Sequence, residues 1–152
     1  MTDSFDTAGS YVAPRHAHLP FDCNGAAVRA QCRSLGTVVT ITGVVDATNV
    51  EQVSEYSKRF ILPDKPFVLD LSGLNCFAAQ GIQLLDRVDD VCTAAGLEWS
   101  VIPGYAVNTA LLLAHEDTSF PIFGSVREAL HYFADATSAR RRMLLPLLTK
   151  TA

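Results

Sequence analysis

Phe67, Val68, Leu69, Asp70 and Leu71 form a nearly continuous apolar run that follows Pro66 and stops at Ser72 and Gly73. A run this short and this apolar fits a strand covered on both faces, because a strand with one wet face alternates instead. A strand buried on both sides needs a layer above and a layer below, and the flanking sequence must supply them. The segment that follows does so: Gly81, Leu84, Leu85, Val88, Val91, Cys92 and Ala95 trace a helical stripe that ends at Gly96, a residue suited to a C-cap.

The same alternation of element types runs along the rest of the chain. Ala26 to Cys32 and Thr37 to Val45 read as two strands joined through Ser34, Leu35 and Gly36, a hairpin. Thr48 to Ile61 carries Val50, Val53, Ser57 and Phe60 at helical spacing, and Leu62, Pro63 and Asp64 end it. Leu97, Trp99 and Val101 alternate with Glu98 and Ser100 as a strand that Pro103 and Gly104 break, after which Tyr105 to Glu116 reads as a helix. Pro121, Ile122 and Phe123 make a short last strand, and Val126, Ala129, Leu130 and Phe133 give a helix opened by Ser125 as N-cap. The order is ββαβαβαβα. Repeated β-α-β units imply parallel strands with right-handed crossovers, so the fold class is α/β: one mixed sheet with an N-terminal hairpin and about four helices.

With 152 residues, the chain has the length of one domain, and at that size folding buries roughly 68–70% of the unfolded surface without disulfide or metal staples. Residues 21–136 are expected to form the domain, with 1–20 a flexible N-terminal tail and 137–152 a C-terminal tail of irregular sequence. In the latter, Pro146 is expected to prevent one long regular helix. The leucines and Met143 around Arg140, Arg141 and Arg142 leave the oligomeric state open between monomer and dimer. Twelve basic against sixteen acidic residues, a net charge of −4, argue against a nucleic-acid partner, whose phosphates need a broad basic surface. No segment reaches the roughly 20 apolar residues of a membrane span. Asp3 and Asp6 stand where a secretory signal would be basic, so a cytoplasmic location is expected.

Chemistry-bearing patterns are sparse. Cys23, Cys32, Cys76 and Cys92 show no Cys-x-x-Cys pair and read as free, mostly buried thiols. Cys23 and Cys32 on one strand would be about 30 Å apart, beyond disulfide reach. His16 and His18 lack a third ligand nearby, so no metal is expected. Asp86, Asp89 and Asp90 fall on the flank of the second helix away from its apolar stripe, beside Arg87, and read as a solvated face. His115, beside Glu116 and Asp117, reads as a dipole-stabilised histidine at a helix end. Neither phosphate-cradling glycine loop occurs, and no nucleophile, base and orienting group come together, so no cofactor and no enzymatic activity are expected.

The element order, the segment Gly43-Val44-Val45-Asp46-Ala47 leading into the first helix, and Leu69-Asp70-Leu71-Ser72-Gly73-Leu74 followed by Gly81-Ile82-x-Leu84-Leu85 together resemble the STAS domain family over about residues 24 to 134. The resemblance implies an anti-sigma factor antagonist, a regulatory module that binds a histidine-kinase-like ATPase anti-sigma factor and releases a sigma factor to control bacterial transcription. In that family the loop before the second helix usually reads Asp-Ser-Ser-Gly or Asp-Ser-Thr-Gly, and the partner kinase phosphorylates the hydroxyl after the Asp. Aligned on Gly81, this chain has Ala78, Ala79 and Gln80 at those three positions. Phosphate would add about −1.5 to −2 charges at the contact surface, and Ala79 cannot carry it.

The partner-binding residues so implied are Asp46, Cys76, Phe77, Ala78, Ala79, Gln80 and Gly81. The residues themselves leave alternatives: Phe77 suits a core position as well as a contact, Ala78 and Ala79 are ordinary helix formers, and Asp46 suits an N-cap or turn. With phosphorylation absent from Ala79, Cys76 offers a possible redox input, since thiols close to a helix N-terminus ionise more readily. The alternative function is a STAS-type small-ligand sensor or scaffold in a stress-signalling assembly.

Overall fold

The computed structural model describes residues 19–114 and 120–151. Its strands are β1 (Phe21–Asp22), β2 (Ala26–Arg33), β3 (Gly36–Val45), β4 (Phe67–Asp70), β5 (Leu74–Phe77) and β6 (Trp99–Ile102). Its helices are α1 (Val50–Lys58), α2 (Ile82–Ala95), α3 (Gly104–Leu113) and α4 (Val126–Thr151), with a 3-10 turn at Ala79–Gly81 running into α2. The six strands form one mixed sheet in the order β1-β2-β3-β4-β6, antiparallel up to β3 and parallel beyond it, and β5 pairs with β3. The α/β class and the hairpin are as the sequence predicts. His16, His18, His115, Glu116 and Asp117 lie outside the described residues.

The apolar run is the centre of the molecule. Phe67, Val68 and Leu69 are all fully buried, with Phe67 and Leu69 in the larger core beneath α1, α2 and α3, and Val68 on the other face with Val38, Ile102 and the α4 residues Ala129, Leu130 and Phe133. Burying side chains of this size stabilises by roughly 1.5–3 kcal/mol each relative to exposure. Helix α4 starts as its sequence predicts: Ser125 Oγ accepts from Glu128 N at 3.1 Å, and Glu128 Oε1 accepts in turn from Gly124 N at 3.0 Å.

Several expectations give way to the structure. Leu74–Phe77 is a strand that the expected element order lacks. Strand β3 has ten residues, yet β4 pairs only with Thr37–Thr40, so β5 pairs with Gly43–Val45 and supplies the hydrogen bonds that buried backbone groups need. The register shifts between Gly43 and Val44 to admit it. Gly43 makes that shift at φ +96°, packed against the backbone of Gly25, where no side chain fits. The expected strand at Pro121–Phe123 shrinks to a single bridge between Ile122 and Val101. In place of the irregular tail expected over 137–152, the described residues 137–151 are helix, since α4 runs through Pro146 to Thr151, the proline costing it one backbone donor.

Two side-chain readings also change. Asp89 is not simply solvated, because its Oδ1 accepts from Trp99 Nε1 at 2.9 Å and so anchors α2 to β6. Arg87, on the same helix, pairs with Glu51 of α1 at 2.7 Å. All four cysteines are free, but only Cys23 and Cys92 are buried, while Cys32 and Cys76 are exposed. Cys23 and Cys32 do not share a strand, as Asn24 (φ 55°) and Gly25 (φ 110°) turn the chain between β1 and β2.

Candidate functional site

The parallel pairing of β5 with β3 assembles a surface at one end of the sheet. Val45 stands opposite Phe77, and Ala78 N donates to Val45 O at 2.9 Å, so the loops that leave these strands run side by side. Asp46 heads one loop, and Ala78, Ala79 and Gln80 head the other. The pairing thus joins two segments more than 30 residues apart in the chain.

On the β3–α1 side, Asp46 forms a tight turn rather than an N-cap. Its Oδ1 accepts from Thr48 N at 2.9 Å and from Thr48 Oγ1 at 2.6 Å. The hydroxyl bond from Thr48, followed by its backbone N–H, holds the Asp46 carboxyl below the usual range, so the group is ionised. Behind it, Asn49 is 1% exposed and cross-links three segments: Oδ1 accepts from Asp46 N at 2.9 Å, while Nδ2 donates to Val44 O at 2.8 Å and to Asn24 O at 3.2 Å. Sequence reasoning passed over Asn49. The available signal was an amide residue immediately before a helical stripe, with an aspartate three residues earlier.

On the β5–α2 side, Ala78 has the extended backbone of an N-cap (φ −74°, ψ 165°) but no side-chain cap bond, and its carbonyl accepts from Gly81 N at 2.8 Å. Four donors at a helix start need partners, and Ser, Thr, Asp or Asn here would supply one. Ala79 and Gln80 are exposed in the following turn. Phe77 is buried and Gly81 is closed over by its ring, so these two shape the loop from within while their neighbours present the surface. Cys76 is an exposed residue of β5, with the helical turn beginning only at Ala79.

Helix α3 extends the apolar character of this end. It packs along β5, leaving a shallow cleft of about 220 Å³ between Asn75, Cys76 and Phe77 on one side and Tyr105, Thr109 and Leu113 on the other. Tyr105 is 86% exposed, and Leu112 and Leu113 are 76% exposed. These three were not among the sequence candidates. The signal was the run Leu111-Leu112-Leu113, since successive helical residues point about 100° apart and cannot all face one core. Leu111 takes the buried position. Among the described residues, no group of three or more His, Cys, Asp and Glu is gathered as a metal site. No helix of the described residues is long and apolar enough to cross a membrane.

A family model described as "STAS domain" matches residues 27–129. The chain is 42% identical over 158 residues to "Osmosensory protein A" of Mycobacterium tuberculosis (strain ATCC 25618 / H37Rv), with both proteins covered in full. Among solved structures, it resembles an anti-sigma factor antagonist from Mycobacterium paratuberculosis, with a TM-score of 0.61 and 18% identity, covering 72% of this chain and 94% of that one. It also resembles an anti-sigma-factor antagonist (STAS) domain protein from Planctomyces limnophilus, with a TM-score of 0.55 and 22% identity, covering 70% of this chain and 97% of that one. At these identities the two structures speak for the shared fold.

Proposed function

This chain belongs to the STAS domain family, and from that premise we propose that it is an anti-sigma factor antagonist: a cytoplasmic binding module that docks on a kinase-like ATPase anti-sigma factor and frees a sigma factor for transcription. The observation that carries this reading is the pairing of β3 with β5, which brings the half-buried Asp46 alongside the half-buried Ala78 and the exposed Ala79 and Gln80 that follow it. The two solved relatives of like fold, each described as an anti-sigma factor antagonist, support it. The module binds and does not catalyse.

A methyl group stands at the position where a phosphate would eject the partner. Ala79 therefore fixes the docking loop in its binding-competent state, and control passes to another input. The name of the Mycobacterium tuberculosis relative supports osmotic stress as the class of signal.

The test is affinity capture from the protein's own cell extract, with and without ATP, using the wild-type chain and an Ala79→Ser variant. The reading requires an ATPase-type anti-sigma factor to be retained by wild type equally in both conditions, and ATP to weaken its hold on the Ser variant alone. Failure to retain such a factor, or its release from wild type by ATP, overturns it.

A further inference from the structure

At the β6 edge of the sheet, away from the β3–β5 end, Trp99, Phe123, Tyr132 and Phe133 wall a cleft of about 480 Å³ together with Asp89 and Glu98. The rings are turned against one another: Phe123 and Tyr132 lie 5.3 Å apart at 52°, and Tyr132 and Phe133 lie 5.9 Å apart at 69°. Tyr132, which is exposed, and the half-buried Phe123 present the accessible aromatic surface, with Trp99 and Phe133 packed behind them. Aromatic faces are the negative ends of ring quadrupoles and attract cations within about 6 Å of the centroid.

Among the described residues, every ionisable wall group other than the Tyr132 phenol is an acid. The Trp99 N–H, which could have served an anion, is already given to Asp89 Oδ1 at 2.9 Å. An anion would meet two carboxylates, and a neutral guest would make no use of them. A bare metal ion fits no better, since hard cations need six or more oxygen ligands and the aromatic walls offer none. The neighbouring base, Arg140, is 59% exposed and reaches Glu98 Oε1 only at 3.8 Å, and a pair that long and that wet is worth little. The cleft keeps its negative character.

We propose that this cleft binds a small organic ammonium cation, its alkylated head group against Phe123 and Tyr132 and its charge answered by Glu98 and Asp89. The site is separate from the docking surface and stands or falls independently of the antagonist reading. Trp99 is the sole tryptophan of the chain and forms part of the wall, so the protein carries its own reporter.

The experiment titrates choline into the full chain, following Trp99 fluorescence and calorimetric heat in parallel, with uncharged 3,3-dimethylbutan-1-ol as the shape-matched control. Choline is expected to bind at about 1 mM with a change in Trp99 emission, and the neutral analogue to bind at least about tenfold more weakly. Glu98→Gln and Tyr132→Leu, both at accessible positions, are expected to weaken choline roughly three- to tenfold with unchanged circular dichroism. Arg140→Gln, which removes the competing cation, is expected to tighten it about twofold. Equal binding of the neutral analogue, heat without a Trp99 response, indifference to both wall variants, or no binding up to about 100 mM would each overturn the proposal.

Discussion

Gly81 lies against the ring of Phe77 so closely that a Cβ at position 81 would meet Cε1 and Cζ at 2.7 Å. Phe77 ends β5 and Gly81 ends the 3-10 turn that leads into α2, so this contact fixes how the Ala78–Gln80 loop leaves the sheet. The glycine at the end of the loop is therefore a packing requirement, and it holds whether or not a hydroxyl precedes it.

Gly81→Ala is expected to destabilise the protein by about 1–3 kcal/mol, because the interior ring cannot retreat without displacing the core. Adding Phe77→Leu makes room for the new methyl group, so the double variant should lie above the sum of the single losses by about 0.5–2 kcal/mol. Urea midpoints of the four proteins check this, and strict additivity would place the ring elsewhere.

Ala78→Asp supplies the missing cap at a residue that already has N-cap backbone geometry. It should raise stability by about 1 kcal/mol, read as an upward shift of the urea midpoint at constant slope. A loss of stability would mean that the side chain cannot reach the first-turn N–H groups.

Asn49→Ala removes one buried side chain that serves Asp46 N, Val44 O and Asn24 O. The stranded groups should cost about 2–3 kcal/mol, and Asn49→Asp should be no better, since a carboxylate has no proton to give the two carbonyls. Thermal unfolding at neutral pH measures both.

Burial, and then the charge of Asp89, pushes the Cys92 thiol up from 9.0 to about 12. Above pH 9 the unfolded chain releases this proton while the folded chain still holds it, so the unfolded state binds fewer protons and stability falls as pH rises. The contribution is complete below about pH 9 and is lost towards pH 12, at up to about 1.4 kcal/mol per pH unit. Cys23 is raised in the same sense by burial and by Asp22. Cys92→Ala should flatten the alkaline limb of a stability-against-pH curve, and an unchanged limb would assign it to other groups.

Cys32 and Cys76 should react with a thiol-specific disulfide reagent in the folded protein, whereas Cys23 and Cys92 should wait for unfolding. A redox input at Cys76 further requires it to react faster than Cys32, which single Cys→Ser variants compare directly. Equal rates would remove that input.

What could be read directly from the chain was set by local periodicity. The run from Phe67 to Leu71 fits a strand covered on both faces, the Leu84–Cys92 stripe fits a helix face, and Ser125 suits the N-cap that opens a helix. The Gly43-to-Asp46 and Leu69-to-Gly81 segments carried the family, and through that resemblance implied Asp46 and Ala78 to Gln80 as the contact surface proposed for it. Tertiary structure decided the rest. Leu74-Asn75-Cys76-Phe77 has no strand signature of its own and becomes β5 because the far end of β3 lies beyond the reach of β4. That pairing, between residues over 30 apart in sequence, brings Asp46 to Ala78. Asp89 looked solvated because a helical wheel cannot see a tryptophan on the next strand, and the cleft at β6 exists only where Trp99, Phe123 and Tyr132 meet in space. Short-range order is written in the spacing of side chains, whereas the choice among partners for a backbone edge, a buried N–H or an aromatic face is made only when the distant parts of the chain have packed.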